Sequence, residues 1–151
     1  MPGTPGPGEP PLAVRPGPRT TSNGTRPPGV AAPGGVELSA DAGATTATGG
    51  AVISGTLTVE NRGGGTLALP PPGCAVDAGL FFDGERVTAP PPCRGGHAET
   101  LPPGGSKVYP FEVRAAGPDG ALQAGSYDLF AGLVEAGTAA WAPPVAVRIT
   151  D

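Results

Sequence analysis

Three residues of this chain are of types that do covalent or metal chemistry and lie near one another in sequence: Cys74, Cys93 and His97. Two cysteines at this separation are able to close a loop. A disulfide there is worth about 3 kcal/mol in the chain-entropy picture and requires an oxidising compartment. The alternatives are two free thiols in a cytoplasmic protein, or a metal site in which both sulfurs join His97. The metal option has three ligands without a fourth and no Cys-x-x-Cys spacing. His97 is the only histidine, so any Ser-His-Asp triad has to use it. None of Ser39, Ser54, Ser106 and Ser126 lies in a Gly-x-Ser-x-Gly context. The carboxylates Asp77, Asp83, Glu85, Glu99, Glu112, Asp119, Asp128 and Glu135 fall at outward strand positions or in turns, where solubility is the expected role. No Asp-x-Asp-x-Asp-Gly calcium loop and no strand–Gly-rich loop–helix phosphate site is present. The expectation is a disulfide between Cys74 and Cys93, a solvated loop histidine at 97, no catalytic residue, no metal site and no cofactor.

The elements that must position these residues are strands. Val36–Ala40 alternates apolar and polar, the mark of a half-buried strand. Residues 52–60 put Ile53, Gly55, Leu57 and Val59 on one face, and Asn61-Arg62-Gly63-Gly64-Gly65 then breaks the run. A short strand at 66–69 stops at Pro70-Pro71-Pro72. Residues 75–82 turn Val76, Ala78, Leu80 and Phe82 inward, and Asp83-Gly84 signals a two-residue hairpin into 85–88. In 107–114, Tyr109, Phe111 and Val113 face in; Pro110 has no N–H to donate, which predicts an edge or bulged strand. Residues 126–134 and 145–150 complete seven or eight strands with no helix of useful length. That spacing predicts an all-β fold, an immunoglobulin-like antiparallel β-sandwich over residues 36–151.

Composition divides the chain. Half of residues 1–35 are Gly or Pro, and Leu12, Val14 and Val30 are the only large aliphatics there. Such a stretch reads as a disordered, semi-stiff linker. It contains the sequon Asn23-Gly24-Thr25. Its charge is positive (Arg15, Arg19 and Arg26 against Glu9), whereas the rest of the chain has twelve acids against six bases. An acidic body excludes nucleic acid as the expected partner, because phosphate binding needs a clustered basic face. No apolar run approaches the length of a transmembrane helix, and Met1 is followed by neither a basic n-region nor an apolar h-region. One Lys among nine basic residues, with abundant Ala, Gly and Pro, suggests a high-GC, actinobacterial genome.

Three local patterns carry a family resemblance: Leu57-Thr58-Val59-Glu60-Asn61 before a Gly turn, Leu101-Pro102-Pro103-Gly104-Gly105-Ser106 leading into the Tyr109 strand, and Ala124-Gly125-Ser126-Tyr127-Asp128-Leu129. Together they resemble bacterial Ig-like domains, and among these the BsuPI family of intracellular proteinase inhibitors. The resemblance implies a β-sandwich and, by the family's name, inhibition of a protease; no inhibitory residue carries over.

Tyr127 is expected to form a tyrosine corner, and Trp141 to be partly buried beside the last hairpin. Phe81 and Phe130 break the alternation by pointing outward, and with Val134 they are expected to form an exposed protein-binding patch on one sheet face. The functional expectation is a non-catalytic, monomeric, extracytoplasmic module that binds a protein partner or serves structurally. The alternative is a proteinase inhibitor of the BsuPI type acting through a protruding loop such as 89–100, with a cytoplasmic location as the alternative to the extracytoplasmic one.

Overall fold

Apolar residues at every second position give each long strand one face to bury, and two sheets satisfy that demand by stacking. In the computed structural model, which describes residues 21–93, 95–135 and 137–151, the strands are β1 (Val36–Ala42), β2 (Thr46–Thr48), β3 (Val52–Asn61), β4 (Leu67–Leu69), β5 (Val76–Phe82), β6 (Glu85–Arg86), β7 (Glu99–Leu101), β8 (Ser106–Arg114), β9 (Ala116–Gly117), β10 (Gly120–Ala121), β11 (Gly125–Glu135), β12 (Thr138–Trp141) and β13 (Val145–Thr150). One sheet has the order β1-β3-β8, all antiparallel. The other runs β2-β13-β11-β5-β6, with β12 also on β11, and β2 joins β13 in parallel. This is the arrangement of an immunoglobulin-like sandwich, with the third long strand crossing from the first sheet to the second.

The core lies between the sheets. Ile53, Leu57 and Val59 from one side meet Leu80, Tyr127, Leu129, Leu133, Val147 and Ile149 from the other. Asp83 and Gly84 both have positive φ (52° and 85°), the backbone of a two-residue hairpin turn that matches sheet twist. Pro110 sits exposed on β8, an edge strand of its sheet, where a missing N–H costs no ladder bond. Pro143 and Pro144 interrupt the last strand: Gly132 pairs with Trp141 but Leu129 pairs with Val145, so one extra residue is accommodated as a bulge.

The three resemblance motifs turn out to be clasps of this fold. Asn61 is buried; its side-chain amide donates to the carbonyls of Gly65 (2.8 Å) and Leu101 (2.9 Å), and its Oδ1 accepts from the Gly63 N–H (3.1 Å). The backbone of Gly104 and Gly105 closes on Asn61 from the other side. The Tyr127 hydroxyl donates to the Gln123 carbonyl at 2.6 Å, a tyrosine corner at the start of β11.

Residues 21–35, placed by composition in a linker, do not stand away from the domain. Thr21 bridges to Ser126, Val30 N–H donates to the Ala139 carbonyl (3.0 Å), and Pro27 is buried. Polar contacts with the sheet and the Trp141 ring hold this stretch. The rest of the expected linker, residues 1–20, lies outside the described residues. No helix among the described residues is long and apolar enough to cross a membrane.

Candidate functional site

Two places gather the residues singled out by type. The first is the end of the sandwich before β5. Cys74 closes the Pro72–Cys74 turn, and Cys93 ends a run of three prolines. Their Cα atoms are 4.5 Å apart and the sulfurs are bonded as a disulfide. The Gly95 N–H donates to Cys74 Sγ at 3.1 Å, which holds the following loop down a second time. With both sulfurs in that bond, neither is a thiolate ligand, and among the described residues no three His, Cys, Asp or Glu side chains gather as a metal site. His97 is exposed in this loop. A 270 Å³ pocket lies between the loop and β8, lined by Pro72, Pro91, Pro92, Pro110, Phe111 and Glu112.

The second place is the outer face of the larger sheet. Phe81 on β5 and Phe130 on β11 are neighbours there, with ring centroids 5.6 Å apart and edge to face. The expectation of an exposed patch is corrected: Phe81 is 2 % and Phe130 0 % exposed, and Val134 is half-buried. The cover comes from three directions. Trp141 stacks edgewise on Phe81 (5.4 Å) and Phe130 (6.1 Å). Arg86 lies 4.8 Å over the Phe81 ring and pairs with Asp77 at 2.6 Å. Residues 22–30 cross the same face. Two outward-facing glycines make the hollow: a Cβ on Gly132 would come within 2.9 Å of the Trp141 ring, and one on Gly79 within 2.7 Å of Arg86 Nη1. Sequence alternation places the two phenylalanines on one outer face, but the lid over them comes from the next strands, β6 and β12, and from residues 22–30, which are distant in sequence.

Asp128 shows the same limit. It reads as an outward, solubilising carboxylate, yet it is 8 % exposed. Its Oδ2 accepts from the Ser22 hydroxyl (2.5 Å) and the Gly24 N–H (3.0 Å). Ser22 Oγ in turn accepts from the Asp83 N–H (2.9 Å), and Asp83 Oδ1 accepts from the Asn23 N–H (2.9 Å). The sequon Asn23 uses its own Oδ1 to take the Thr25 N–H (3.0 Å) and hydroxyl (2.6 Å), forming a local turn. Trp141, only 7 % exposed, donates its indole N–H to the Pro28 carbonyl at 3.0 Å. The signal that would have found this lid is the Ser-Asn-Gly-Thr turn chemistry followed by Arg26-Pro27-Pro28-Gly29.

Two buried tyrosines titrate high. Burial alone pushes Tyr127 to about 12 from its ordinary value of 10.0. Tyr109 is raised by burial and then by the nearby charge of Glu99, and its hydroxyl has no hydrogen-bond partner among the described residues.

No family model and no curated protein matches the chain. Among solved structures it is similar to the β-glucosidase EmGH1 of Erythrobacter marinus (16 % identity, TM-score 0.48, 76 % of this chain and 15 % of that one). It is also similar to the CARDB domain of the PF1109 protein of Pyrococcus furiosus, solved with di-metal ions (15 % identity, TM-score 0.43, 76 % of this chain and 91 % of that one). A third likeness is to a β-glucosidase of Listeria innocua in complex with glucose (15 % identity, TM-score 0.43, 77 % of this chain and 16 % of that one). The chain spans under a fifth of the length of either glucosidase, and these likenesses concern the fold alone.

Proposed function

We propose that the chain is a non-catalytic Ig-like module that works in an oxidising, extracytoplasmic compartment and contacts another protein through its disulfide-closed, proline-rich end. The observation that carries this is the Cys74–Cys93 bond, which pins an otherwise exposed loop beside a proline-lined pocket. A bonded pair of this kind persists where thiols are oxidised. Prolines on both sides of that pocket limit how much order the loop must gain on binding, since their backbone φ is already fixed.

The test is the mass of the native protein after thiol alkylation, with and without prior reduction, combined with photo-crosslinkers at Pro91 and His97 in the intact cell envelope. Cysteines that alkylate only after reduction, and a discrete crosslink from these positions but not from Ser39, support the reading. Immediate alkylation of both cysteines, or crosslinking that does not distinguish the positions, overturns it. The same exposed, doubly anchored loop also favours a second reading, insertion into a protease cleft as BsuPI-like inhibitors imply. Stoichiometric, loop-dependent inhibition in a panel of extracellular and intracellular proteases would select it.

A further inference from the structure

The outer aromatic face carries a further site. We propose that the groove built by Trp141, Phe81 and Arg86 is a proline-rich-peptide binding site, occupied in this structure by the chain's own residues 26–30 and open to exchange with an Arg-Pro-Pro-Gly-like segment of a second polypeptide. It is a different surface from the disulfide loop and stands whether or not that loop binds anything.

The occupant in place defines the chemistry. An aromatic-lined groove with an indole N–H aimed at a backbone carbonyl is how proline-rich segments are held: rings take the pyrrolidine faces, and the donor satisfies a carbonyl that has no partner in an extended chain. Here Pro27 is buried, the Pro28 carbonyl accepts from Trp141 Nε1 at 3.0 Å, and the Val30 N–H reaches the Ala139 carbonyl at 3.0 Å. Gly29 is required by close approach: a Cβ would stand 2.5 Å from the Ala139 carbonyl oxygen and 2.8 Å from the Trp141 ring. The segment is therefore read at four consecutive positions, Pro27 to Val30.

The cis occupant does not fill the groove. A pocket of 260 Å³ remains beside it, bounded by Pro27, Pro28, Asp77, Phe81, Arg86 and Trp141. Asp77 and Arg86, paired at 2.6 Å, wall one side of it. The resident segment's advantage is tethering, which gives it an effective concentration on the order of millimolar. Residues 31–35, including Pro33-Gly34-Gly35, tie it to β1. The chain carries a related pattern at Arg15-Pro16-Gly17-Pro18.

Trp141 is the single tryptophan, so its emission and its one indole N–H resonance report the groove directly. In the full-length chain, Gly29→Val should dislodge residues 26–30. Acrylamide quenching of Trp141 should rise severalfold, while the melting transition remains cooperative. Titrating a synthetic Ser22–Ala31 peptide should restore protection saturably, and the same peptide with both prolines replaced by Ala should not. If Gly29→Val fails to fold, the wild-type chain serves: a millimolar spin-labelled Ser22–Ala31 peptide should broaden the indole N–H resonance selectively. A concentration-dependent dimer that the peptide disperses would make a second copy of this chain the partner. Unchanged quenching in folded Gly29→Val, protection by the Ala-substituted peptide as well, or no selective broadening in the wild type would overturn the proposal.

Discussion

Tyr127→Phe removes one hydroxyl and leaves the ring in place against Phe82, 5.8 Å away and edge to face. At neutral pH the loss is the bond to the Gln123 carbonyl, which is only half-buried and can be taken up by water. The cost is about 1–1.5 kcal/mol, a drop in Tm of about 3–6 °C for a domain of this size. Alkaline pH should erase the difference. A tyrosine is neutral when protonated, so burial makes the folded chain hold this proton more tightly than the unfolded one, with a folded pKa of about 12 against 10.0. That contribution is fully present below pH 10 and is lost as pH rises through 12. At pH 11 the unfolded chain has gained about 1.4 kcal/mol from ionising Tyr127, which we discount to about 1 kcal/mol for partial screening. Phenylalanine has no such loss. Urea unfolding at pH 8 and pH 11 should therefore show the two proteins about 1 kcal/mol apart and then nearly equal. Tyr109, also raised, leaves a residual alkaline loss in both. A gap unchanged between the two pH values would refute the assignment of Tyr127 as a buried, neutral hydrogen-bond donor.

Cys74→Ser with Cys93→Ser should lower stability by about 3 kcal/mol from loop entropy, measured by urea unfolding, with the β-sheet circular dichroism retained. Phe130→Ala should cost about 3–5 kcal/mol, because the ring is fully enclosed by Phe81 and Trp141; a surface binding residue would cost far less in the same assay. Asp128→Ala should release the Ser22 and Gly24 bonds and raise amide hydrogen exchange at 22–24 while the exchange of β3 and β11 stays slow. His97→Ala, at an exposed loop position, should change Tm by less than the scatter between preparations.

Period-two alternation is a local property, and it was enough to predict the long strands of both sheets; the missing N–H of Pro110 limited β8 to an edge or bulged strand, and β8 is an edge. The same is true of the Asp83-Gly84 turn, whose positive φ values belong to those residue types. The short strands β2, β7, β9, β10 and β12 have too few residues for a period to show; their partners, such as Ile149 for Ala47, lie far along the chain. The aromatic face divides in the same way. Alternation set Phe81 and Phe130 side by side and outward. Whether they met water depended on Trp141 reaching back over Gly132, on Arg86 lying over Gly79, and on residues 22–30 crossing from beyond β1. The first two contacts lie across local hairpins, but the last joins positions that no sequence window contains together. Composition alone assigned 21–35 to a linker, because a Pro/Gly-rich stretch cannot build a core by itself. Tertiary structure supplied one for it, since a preset, extended backbone needs only a ring to lie on and a few donors and acceptors to hold it.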